Sequence, residues 1–371
     1  MHIIIDSKIP FIQGYAEQLG QCTYLPGNEI GPDDVRHADA LIIRTRTHCN
    51  RALLQGSSVQ YIATATIGYD HIDTHYLSQA GIGWTNCPGC NARSVAQYVK
   101  SCLLQLAAHG CWSTPDSPLV PLALPLAQAA IAHPPFSRLT LGIVGVGHVG
   151  SQVLKMAQHL PFKQILLCDP PRAEREGGEA FVSLSQIAQQ ADVITFHTPL
   201  THSPSPHATY HMANAAFFSQ LRPNAVIINS SRGEVVDTQA LKAALSNHTL
   251  RTAIIDTWEN EPHIDLELLE RVFIGTPHIA GYSADGKANG TRMALQAVAR
   301  HFGQDAQRFN SIVPPSLPPN FAYYPEGIGC TLCPSLCLYD PLRDSTALKQ
   351  HPERFEFLRG NYPLRREGDD I

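Results

Sequence analysis

The chain has 371 residues, a formal net charge of −5 and hydrophobic residues at 44% of its positions. One hydrophobic core rarely organises more than about 250–300 residues, so this length predicts two domains and leaves room for a small third. The slight negative charge, without basic runs, gives no electrostatic reason to expect a nucleic-acid or acidic-membrane partner, and it favours a small-molecule ligand.

The first residues and the cysteines favour a cytoplasmic protein without a membrane span. The start, MHIIIDSKIP, lacks the long apolar stretch of a secretory signal. The longest uncharged stretch, 117–137, contains five prolines, which a spanning helix would not readily carry. Ten cysteines in such a chain predict reduced thiols. Neither the C-x-x-C motif at 87–90 nor the cysteines at 330–337 has obvious further ligands, so we expect no metal.

The first ninety residues alternate short β-branched runs with helical stretches, which predicts an α/β unit with a parallel sheet. The strand candidates are HIIID, ALIIRT, QYIATAT and GIGWTNC. A helix-like segment, NARSVAQYVKSCLLQLAAHG, follows and ends at Gly110. It leads into a proline-rich stretch at 112–135 that we interpret as a surface insertion.

From Leu139 onward the same alternation predicts a second, larger parallel sheet. Its strand candidates are LGIVGV, QILLCD, DVITFHT, AVIINSS, TAIIDTW and VFIGTPH. Carboxyl ends of parallel strands gather at one edge, and ligands bind there at the reversal of strand order. Because polar residues follow each of these runs, we expect them to converge. After Gly303 the pattern is lost, and the last residues predict a small module of mixed charge.

A Gly-Val-Gly-His-Val-Gly sequence stands between a predicted strand and a predicted helix and matches G-x-G-x-x-G. The first glycine permits a tight turn, the second lets amides approach a pyrophosphate, and the third lets helix and strand pack closely. The helix amino terminus then faces the phosphates. The alternative is a glycine-rich turn without a ligand. The cofactor-binding residues expected here are Gly145, Gly147, His148, Val149 and Gly150.

Asp169 ends the next predicted strand, nineteen residues after Gly150. A carboxylate there can accept hydrogen bonds from the adenosine ribose hydroxyls and repels a 2′-phosphate, which favours NAD over NADP. Arg172 is close enough in sequence to leave the second cofactor open. The alternative for Asp169 is a turn residue before Pro170.

Three residues at later strand ends are candidates for catalysis. Arg232, in NSSRGEVVD, can form a bidentate pair with a substrate carboxylate. His278, in GTPHIAG, is a candidate acid–base because an ordinary imidazole titrates near neutrality. Glu261, in WENEP, can hydrogen-bond that imidazole and stabilise the imidazolium. The alternatives are a surface arginine and a structural histidine.

In this order the glycine motif, Asp169, Arg232, Glu261 and His278 resemble the D-2-hydroxyacid dehydrogenase family. The motifs RTRTHCN, TATIGYDHID, CPGCNARSVAQYV, LLCDPPRAE, INSSRGEVVD, DTWENEP, GTPHIAGYSADGKANGT and NYPLRRE resemble those members that oxidise 4-phospho-D-erythronate to (R)-3-hydroxy-2-oxo-4-phosphooxybutanoate in pyridoxal 5′-phosphate synthesis. The resemblance implies a phosphorylated hydroxy acid as substrate, NAD as cofactor and a homodimer.

The resemblance also implies roles for further residues. Those expected near NAD are Asp169, Thr198, Asp256 and Gly281. Those expected to contact substrate are Thr45, Thr66 and Tyr282, and Thr45 stands where a serine is common. Arg44 and Arg46, beside Thr45, are candidates for binding the phosphate, with solvent-exposed arginines as the alternative.

The architecture implied is a Rossmann-type doubly wound parallel sheet, a second flavodoxin-like α/β substrate domain and a small C-terminal α+β module. The substrate domain is expected at 1–90 and 282–303, with GKANGTRMALQAVARHF as its returning segment. The NAD-binding domain is expected at 91–281 and the terminal module, which pairs subunits in relatives, at 304–371. The chain ends soon after LRRE, and the sequence does not predict the final strand and helix that are usual in relatives, which weakens the expectation of a dimer.

Two other functions remain open. A phosphoglycerate- or hydroxypyruvate-type dehydrogenase would share every catalytic residue named above and differ only in its substrate pocket. An NAD-sensing, corepressor-like regulator would keep the fold as a ligand-controlled module, although intact Arg232, Glu261 and His278 argue against it.

Overall fold

The computed structural model describes residues 1–112, 119–316 and 333–368. The chain divides into two units, Met1–Asn91 with Ser283–Leu317 and Ala92–Tyr282 with Pro318–Ile371. The predicted module at 304–371 is therefore not a unit of its own among the described residues. Its first part, to residue 316, belongs to the first unit, and 333–368 belong to the second.

A parallel five-stranded sheet forms the centre of the first unit. Its strands are β1 His2–Asp6, β2 Gln21–Leu25, β3 Ala40–Ile43, β4 Tyr61–Thr64 and β5 Gly83–Thr85. Their order, β2-β1-β3-β4-β5, is the flavodoxin-like order and confirms the predicted architecture. The sequence does not predict β2, because QCTYL mixes polar and apolar residues and forms a partly exposed edge strand.

Helices cover both faces of this first sheet. The connecting helices are α1 Pro32–Val35, α2 Arg51–Leu54 and α3 Thr74–Ala80. The returning helix, Ala284–His301, packs Leu295 and Val298 into a cluster with Ile3 and Ile5. The intervening residue Ile4 joins the opposite cluster, as the alternation of side chains along a strand requires.

A parallel six-stranded sheet forms the centre of the second unit. Its strands are β6 Thr140–Val144, β7 Gln164–Cys168, β8 Val193–Phe196, β9 Ala225–Asn229, β10 Leu250–Ile255 and β11 Ile274–Gly275. The strand order is β11-β10-β9-β8-β6-β7, so the chain first adds β7 on one side of β6 and then adds β8 and the later strands on the other side. This is the switch point at which doubly wound sheets bind ligands, and the predicted Rossmann-type sheet is confirmed.

Both faces of the second sheet are buried under helices. The helices are α4 Ala92–Ala108, α5 Leu124–Ala132, α6 His148–Gln158, α7 Pro170–Glu176, α8 Leu184–Gln190, α9 Ala215–Phe218, α10 Thr238–Ser246 and α11 Leu266–Arg271, followed by Pro334–Leu338, Pro341–Gln350 and Phe355–Gly360. Val226 and Ile228 of β9 join the cluster that contains Val99 of α4. Ile227 joins the opposite cluster with Leu241 of α10.

The proline-rich stretch at 112–135 contains a helix that the sequence does not predict. Residues 113–118 of this stretch lie outside the described residues. Helix α5 begins at Leu124, so Pro125 occupies its first turn, where a proline interrupts no helical hydrogen bond. Ala127 is buried, whereas Leu126 is 61% exposed. A count of prolines therefore underestimates helix content here.

The described cysteines differ from the prediction at one position. Eight of them are free thiols, including the Cys87 and Cys90 pair. Cys337, however, is disulfide-bonded, which corrects the expectation of reduced thiols throughout. Cys330 lies outside the described residues. None of the helices in the described ranges combines the length and apolarity that crossing a bilayer requires.

Candidate active site

The glycine motif forms a tight turn between β6 and α6. Gly145 has a φ of +84°, and a Cβ at this position would lie 2.8 Å from the backbone of His197. A Cβ at Gly150 would lie 2.0 Å from the carbonyl oxygen of Gly145. A Cβ at Gly147, in contrast, would meet no atom within 4 Å. The first and third glycines thus fit the backbone together, and the second faces open space.

This open space lies at the amino terminus of α6, whose first residues are His148 and Val149. The first backbone N–H groups of a helix have no partner within the helix and carry a partial positive charge. A pyrophosphate would satisfy these donors, as the mechanism of the glycine motif requires. The residues present therefore fit a dinucleotide, with 145–150 holding its phosphates.

Asp169 lies at the end of β7 and is tied to the glycine turn. Its carboxylate accepts the N–H of Val146 at 2.7 Å and the N–H of Arg172 at 3.0 Å, which makes it the N-cap of α7. Each carboxylate oxygen keeps a second lone pair for a ribose hydroxyl. The structure thus supports the turn role directly and leaves acceptors for the cofactor role.

Arg172 is engaged by other groups of the protein. Its guanidinium donates to both carboxylate oxygens of Glu176, at 2.8 and 2.7 Å, and to the carbonyl oxygen of Val146 at 2.6 Å. A guanidinium neutralised in this way is a poor partner for a 2′-phosphate. This arrangement favours NAD over NADP.

Two residues at the end of β8 adjoin the glycine turn. The Thr198 side chain would lie 2.9 Å from a Cβ at Gly145, so the predicted Thr198 is in place beside the cofactor turn. Burial lowers the pKa of His197 to about 3, and its Nε2 lies 2.9 Å from the hydroxyl of Thr195. His197 is therefore a neutral structural imidazole at physiological pH.

Arg232 follows β9 and is half-buried. The amide of Asn229 donates to the carbonyl oxygen of Arg232 at 2.9 Å, and the Arg232 guanidinium donates to the carbonyl oxygen of Ser231 at 2.8 Å. Within the described residues it forms no ion pair with a carboxylate. Its remaining donors can therefore pair with a carboxylate of a ligand.

Gly233 brings this strand end against the residues that lead to Glu261. A Cβ at Gly233 would lie 2.0 Å from the carbonyl group of Trp258, so only glycine permits this approach. The N–H of Trp258 in turn donates to Glu261 Oε1 at 2.9 Å. Arg232 and Glu261 thus belong to neighbouring loops whose backbones touch.

His278 and Glu261 form a hydrogen-bonded pair. His278 Nδ1 lies 2.8 Å from Glu261 Oε2 and 3.1 Å from Oε1. Because a carboxylate only accepts, the proton of the neutral imidazole must sit on Nδ1, which leaves a lone pair on Nε2. The His278 side chain is 27% exposed, so Nε2 can receive a proton from a ligand. This is the arrangement of an oriented general base.

Asp256, at the end of β10, organises the loop that contains His278. Its buried carboxylate accepts the hydroxyl of Thr276 at 2.6 Å and the N–H groups of Ile279 and Ala280 at 2.8 and 3.0 Å. Burial raises the pKa of Asp256, and these donors together with His278 oppose the shift. The sequence predicts Asp256 near NAD, whereas the structure commits its carboxylate to the loop.

The end of this loop carries the predicted Gly281 and Tyr282. Both are partly exposed, and the N–H of Tyr282 donates to the carbonyl oxygen of Ile279 at 2.8 Å in a tight turn. Gly281 therefore lies within this turn, three residues after His278.

Thr45 is exposed after β3, at the carboxyl edge of the first sheet. Of the arginines on either side of it, Arg44 donates to the carbonyl oxygen of Lys8 at 3.0 Å, and Arg46 is exposed. The predicted hydroxyl is thus accessible and flanked by two cations.

Thr66 follows β4, the strand next to β3, so its hydroxyl lies at the same sheet edge. The hydroxyl groups of Thr66 and Thr64 are 2.6 Å apart, and that of Thr64 lies 3.1 Å from His71 Nε2. Burial lowers the pKa of His71 to about 4, so the imidazole is neutral at pH 7. A chain of three polar side chains thereby orients Thr66.

Two arginines that the sequence does not single out also contact this site. Arg359 donates to Glu261 Oε2 at 3.3 Å. Arg365 is fully buried and donates to the carbonyl oxygens of Ile279 and Ala280. The motif NYPLRRE, which carries part of the resemblance, contains Arg365 and is the one signal that points to this segment.

Comparison with known proteins identifies the family. A Bacteroides fragilis protein named erythronate-4-phosphate dehydrogenase is 51% identical over 372 residues, which cover 99% of this chain and 97% of that protein. A Porphyromonas gingivalis protein of the same name is 42% identical, with 99% of this chain and 94% of that protein covered. The chain belongs to the erythronate-4-phosphate dehydrogenase family.

The wider relationship of this family agrees with the fold. Residues 126–280 match the model described as "D-isomer specific 2-hydroxyacid dehydrogenase, NAD binding domain", which confirms the prediction of an NAD-dependent enzyme of that class. The structure of D-lactate dehydrogenase from Aquifex aeolicus, complexed with NAD and lactic acid, superimposes with a TM-score of 0.64 at 24% identity. The superposition covers 85% of this chain and 100% of the D-lactate dehydrogenase chain.

Proposed function

We propose that this chain oxidises 4-phospho-D-erythronate to (R)-3-hydroxy-2-oxo-4-phosphooxybutanoate with NAD, as a step of pyridoxal 5′-phosphate biosynthesis. The observation that carries the proposal is the His278–Glu261 pair. It lies on strand-end loops that touch the loop of Arg232, which forms no ion pair with a carboxylate in the described part of the chain. The names of the relatives that share 42–51% of its residues support the choice of substrate.

Arg232 would bind the C1 carboxylate of this substrate. Its planar guanidinium offers two parallel N–H donors to a carboxylate, which fixes the orientation of the neighbouring C2 carbon. The half-buried position strengthens this pairing relative to one in bulk water.

His278 would remove the proton of the C2 hydroxyl group through Nε2. As the O–H bond breaks, its electron pair forms the C2=O bond, and the C2–H bond electrons leave with the hydrogen. NAD, when bound, supplies the acceptor for this hydride. The Glu261 carboxylate then stabilises the imidazolium that His278 becomes.

The remaining substrate contacts fall on residues with exposed or oriented polar groups. The hydroxyls of Thr45 and Thr66 and the side chain of Tyr282 would hydrogen-bond the hydroxyl and carboxylate oxygens. Arg44 and Arg46 would bind the phosphate, because doubly charged phosphates are bound in proteins by cations and N–H donors. If Arg44→Ala and Arg46→Ala keep the Michaelis constant of the wild type, these two arginines do not bind the phosphate.

We also propose a cytoplasmic homodimer. Eight of the described cysteines are free thiols, which supports a reducing compartment, and Cys337 is the described cysteine that departs from this pattern. Light scattering coupled to gel filtration measures the mass directly, and a mass near 40.6 kDa would mean a monomer and contradict the pairing.

The experiment that tests the proposed function follows NADH formation at 340 nm with three substrates in parallel. Rapid NADH formation is expected with 4-phosphoerythronate and not with 3-phosphoglycerate or D-lactate. Faster NADH formation with 3-phosphoglycerate or D-lactate would show that the enzyme has a different substrate specificity. Binding of NAD without oxidation of any of the three hydroxy acids would favour the alternative function, an NAD-sensing, corepressor-like regulator.

A further inference from the structure

The helix Phe355–Gly360 supplies a cation to the carboxylate that orients His278. Arg359 Nη1 donates to Glu261 Oε2 at 3.3 Å, and the same oxygen lies 2.8 Å from His278 Nδ1. The Arg359 and Glu261 side chains are only 24% and 17% exposed. One carboxylate oxygen is therefore shared between a permanent cation and the predicted base.

The charged and titratable groups around these three side chains come from several elements. Arg359 also faces the Tyr282 side chain and lies 4.0 Å from Glu356 on its own helix. His278 faces the carboxylates of Glu261 and the buried Asp256. Burial would raise the pKa of Glu261, but His278, Arg359 and the N–H of Trp258 outweigh it and hold that pKa below its ordinary value.

The segment that carries Arg359 is anchored close to the same loop. The fully buried Arg365 guanidinium donates to the carbonyl oxygens of Ile279 at 3.1 Å, Ala280 at 2.6 Å and Tyr282 at 3.1 Å. These bonds fix Arg365, six residues after Arg359, to the residues that follow His278. The contact of Arg359 with Glu261 is thus part of an ordered arrangement rather than an isolated surface ion pair.

We propose that Arg359 is a positioning residue for the Glu261–His278 pair, an inference that rests on the proposed function. Its guanidinium holds the Glu261 carboxylate in the orientation that accepts the Nδ1 proton, so that Nε2 of His278 stays available as the base. Its positive charge also offsets the charge of Glu261, which makes the pair bind a proton less tightly. Without Arg359, the pair becomes protonated at a higher pH.

The test compares the pH dependence of kcat/KM for 4-phosphoerythronate in the wild type, Arg359→Gln, Arg359→Lys and Arg354→Gln. Loss of a cation within hydrogen-bond range of a carboxylate commonly moves its titration by about one pH unit or more. We therefore expect the acid limb of the Arg359→Gln profile to move up by about one pH unit, which lowers kcat/KM about tenfold at pH values below the wild-type limb. Arg359→Lys should restore the limb.

Arg354→Gln is the matched control because it removes the same charge five residues before Arg359. Arg354 is exposed, and its guanidinium stacks on the ring of Phe357. Its profile should superimpose on that of the wild type. A similar shift in both glutamine variants would mean a general effect of net charge and would overturn the proposal.

A double variant separates action through Glu261 from a direct effect. In a Glu261→Gln background, Arg359→Gln should no longer move the acid limb. An equal shift in both backgrounds would show that Arg359 does not act through the carboxylate.

A second readout does not depend on turnover. In protein labelled with ¹⁵N-histidine, the ring signal that disappears in His278→Gln should titrate at a higher pH in Arg359→Gln than in the wild type. A wild type that leaves 4-phosphoerythronate unchanged would refute the proposed function, and the ring titration would still decide the role of Arg359. Unchanged ring titration would overturn the present inference alone.

Discussion

Substitution of Gly147 by alanine should separate cofactor binding from folding. A Cβ there meets no protein atom within 4 Å, and the φ of −73° is open to alanine, so the free energy of unfolding should change by no more than about 0.5 kcal/mol. The same methyl group would occupy the space in front of the α6 amino terminus, where the pyrophosphate must approach the N–H groups. We expect the Kd for NAD to rise about 10- to 100-fold, or about 1.4–2.8 kcal/mol.

Calorimetric titration with NAD and urea unfolding measure the two quantities on one preparation. Gly178→Ala is the matched control, because a Cβ there also meets nothing within 4 Å but lies far along the chain from the motif. Gly150→Ala should behave differently, since its Cβ would lie 2.0 Å from a carbonyl oxygen and should cost about 1–3 kcal/mol of stability. Wild-type affinity in Gly147→Ala would refute the placement of the pyrophosphate.

Three further predictions concern the catalytic residues. His278→Ala should lower kcat by about 10²- to 10⁴-fold without changing the Kd for NAD, and turnover within tenfold of the wild type would exclude it as the base. Arg232→Lys should raise KM at least about tenfold because an ammonium group cannot form the bidentate pair, with the exposed Arg222→Lys as control. Burial would raise the pKa of Glu261, but His278 and Arg359 lower it in the folded protein. The Glu261 carboxylate therefore stabilises the folded protein above its unfolded pKa, and this contribution is lost as the pH falls through its folded pKa. The stability difference between wild type and Glu261→Gln, measured by urea unfolding, should therefore narrow as the pH falls below 4.5, the ordinary pKa of this carboxyl group, and a constant difference there would contradict the pairing.

Features that depend on neighbouring residues can be predicted from this sequence. The strand β6, the glycine turn and the helix α6 follow one another within 140–158, so the motif and both flanking elements can be recognised in one stretch of sequence. The buried strands β8 and β9, VITF and AVIIN, are largely apolar runs, which identifies them without knowledge of their partners. In the second sheet the predicted strands end one to three residues beyond the observed ones.

Features that depend on distant residues could not be predicted. The edge strand β2 has no apolar run, and its place is fixed by pairing with β1. The roles of Arg359 and Arg365 depend on contacts with residues about eighty to one hundred positions earlier. No spacing rule connects such segments, so the sequence names Glu261 and His278 but not the cations that hold them.

The motif GTPHIAG does not by itself determine the conformation of the loop that contains His278. His278 has a φ of +55°, a left-handed conformation that costs a non-glycine residue about 1–3 kcal/mol. The Asp256 carboxylate accepts two N–H groups of the following residues, and the Arg365 guanidinium donates to three of their carbonyl groups. Hydrogen bonds to charged groups contribute about 1.5–3 kcal/mol each, so two or three of them offset the strain. The conformation that points the imidazole at Glu261 is therefore maintained by the Asp256 carboxylate and the Arg365 guanidinium, which both lie outside the loop. The sequence GTPHIAG without these two groups would lose this conformation.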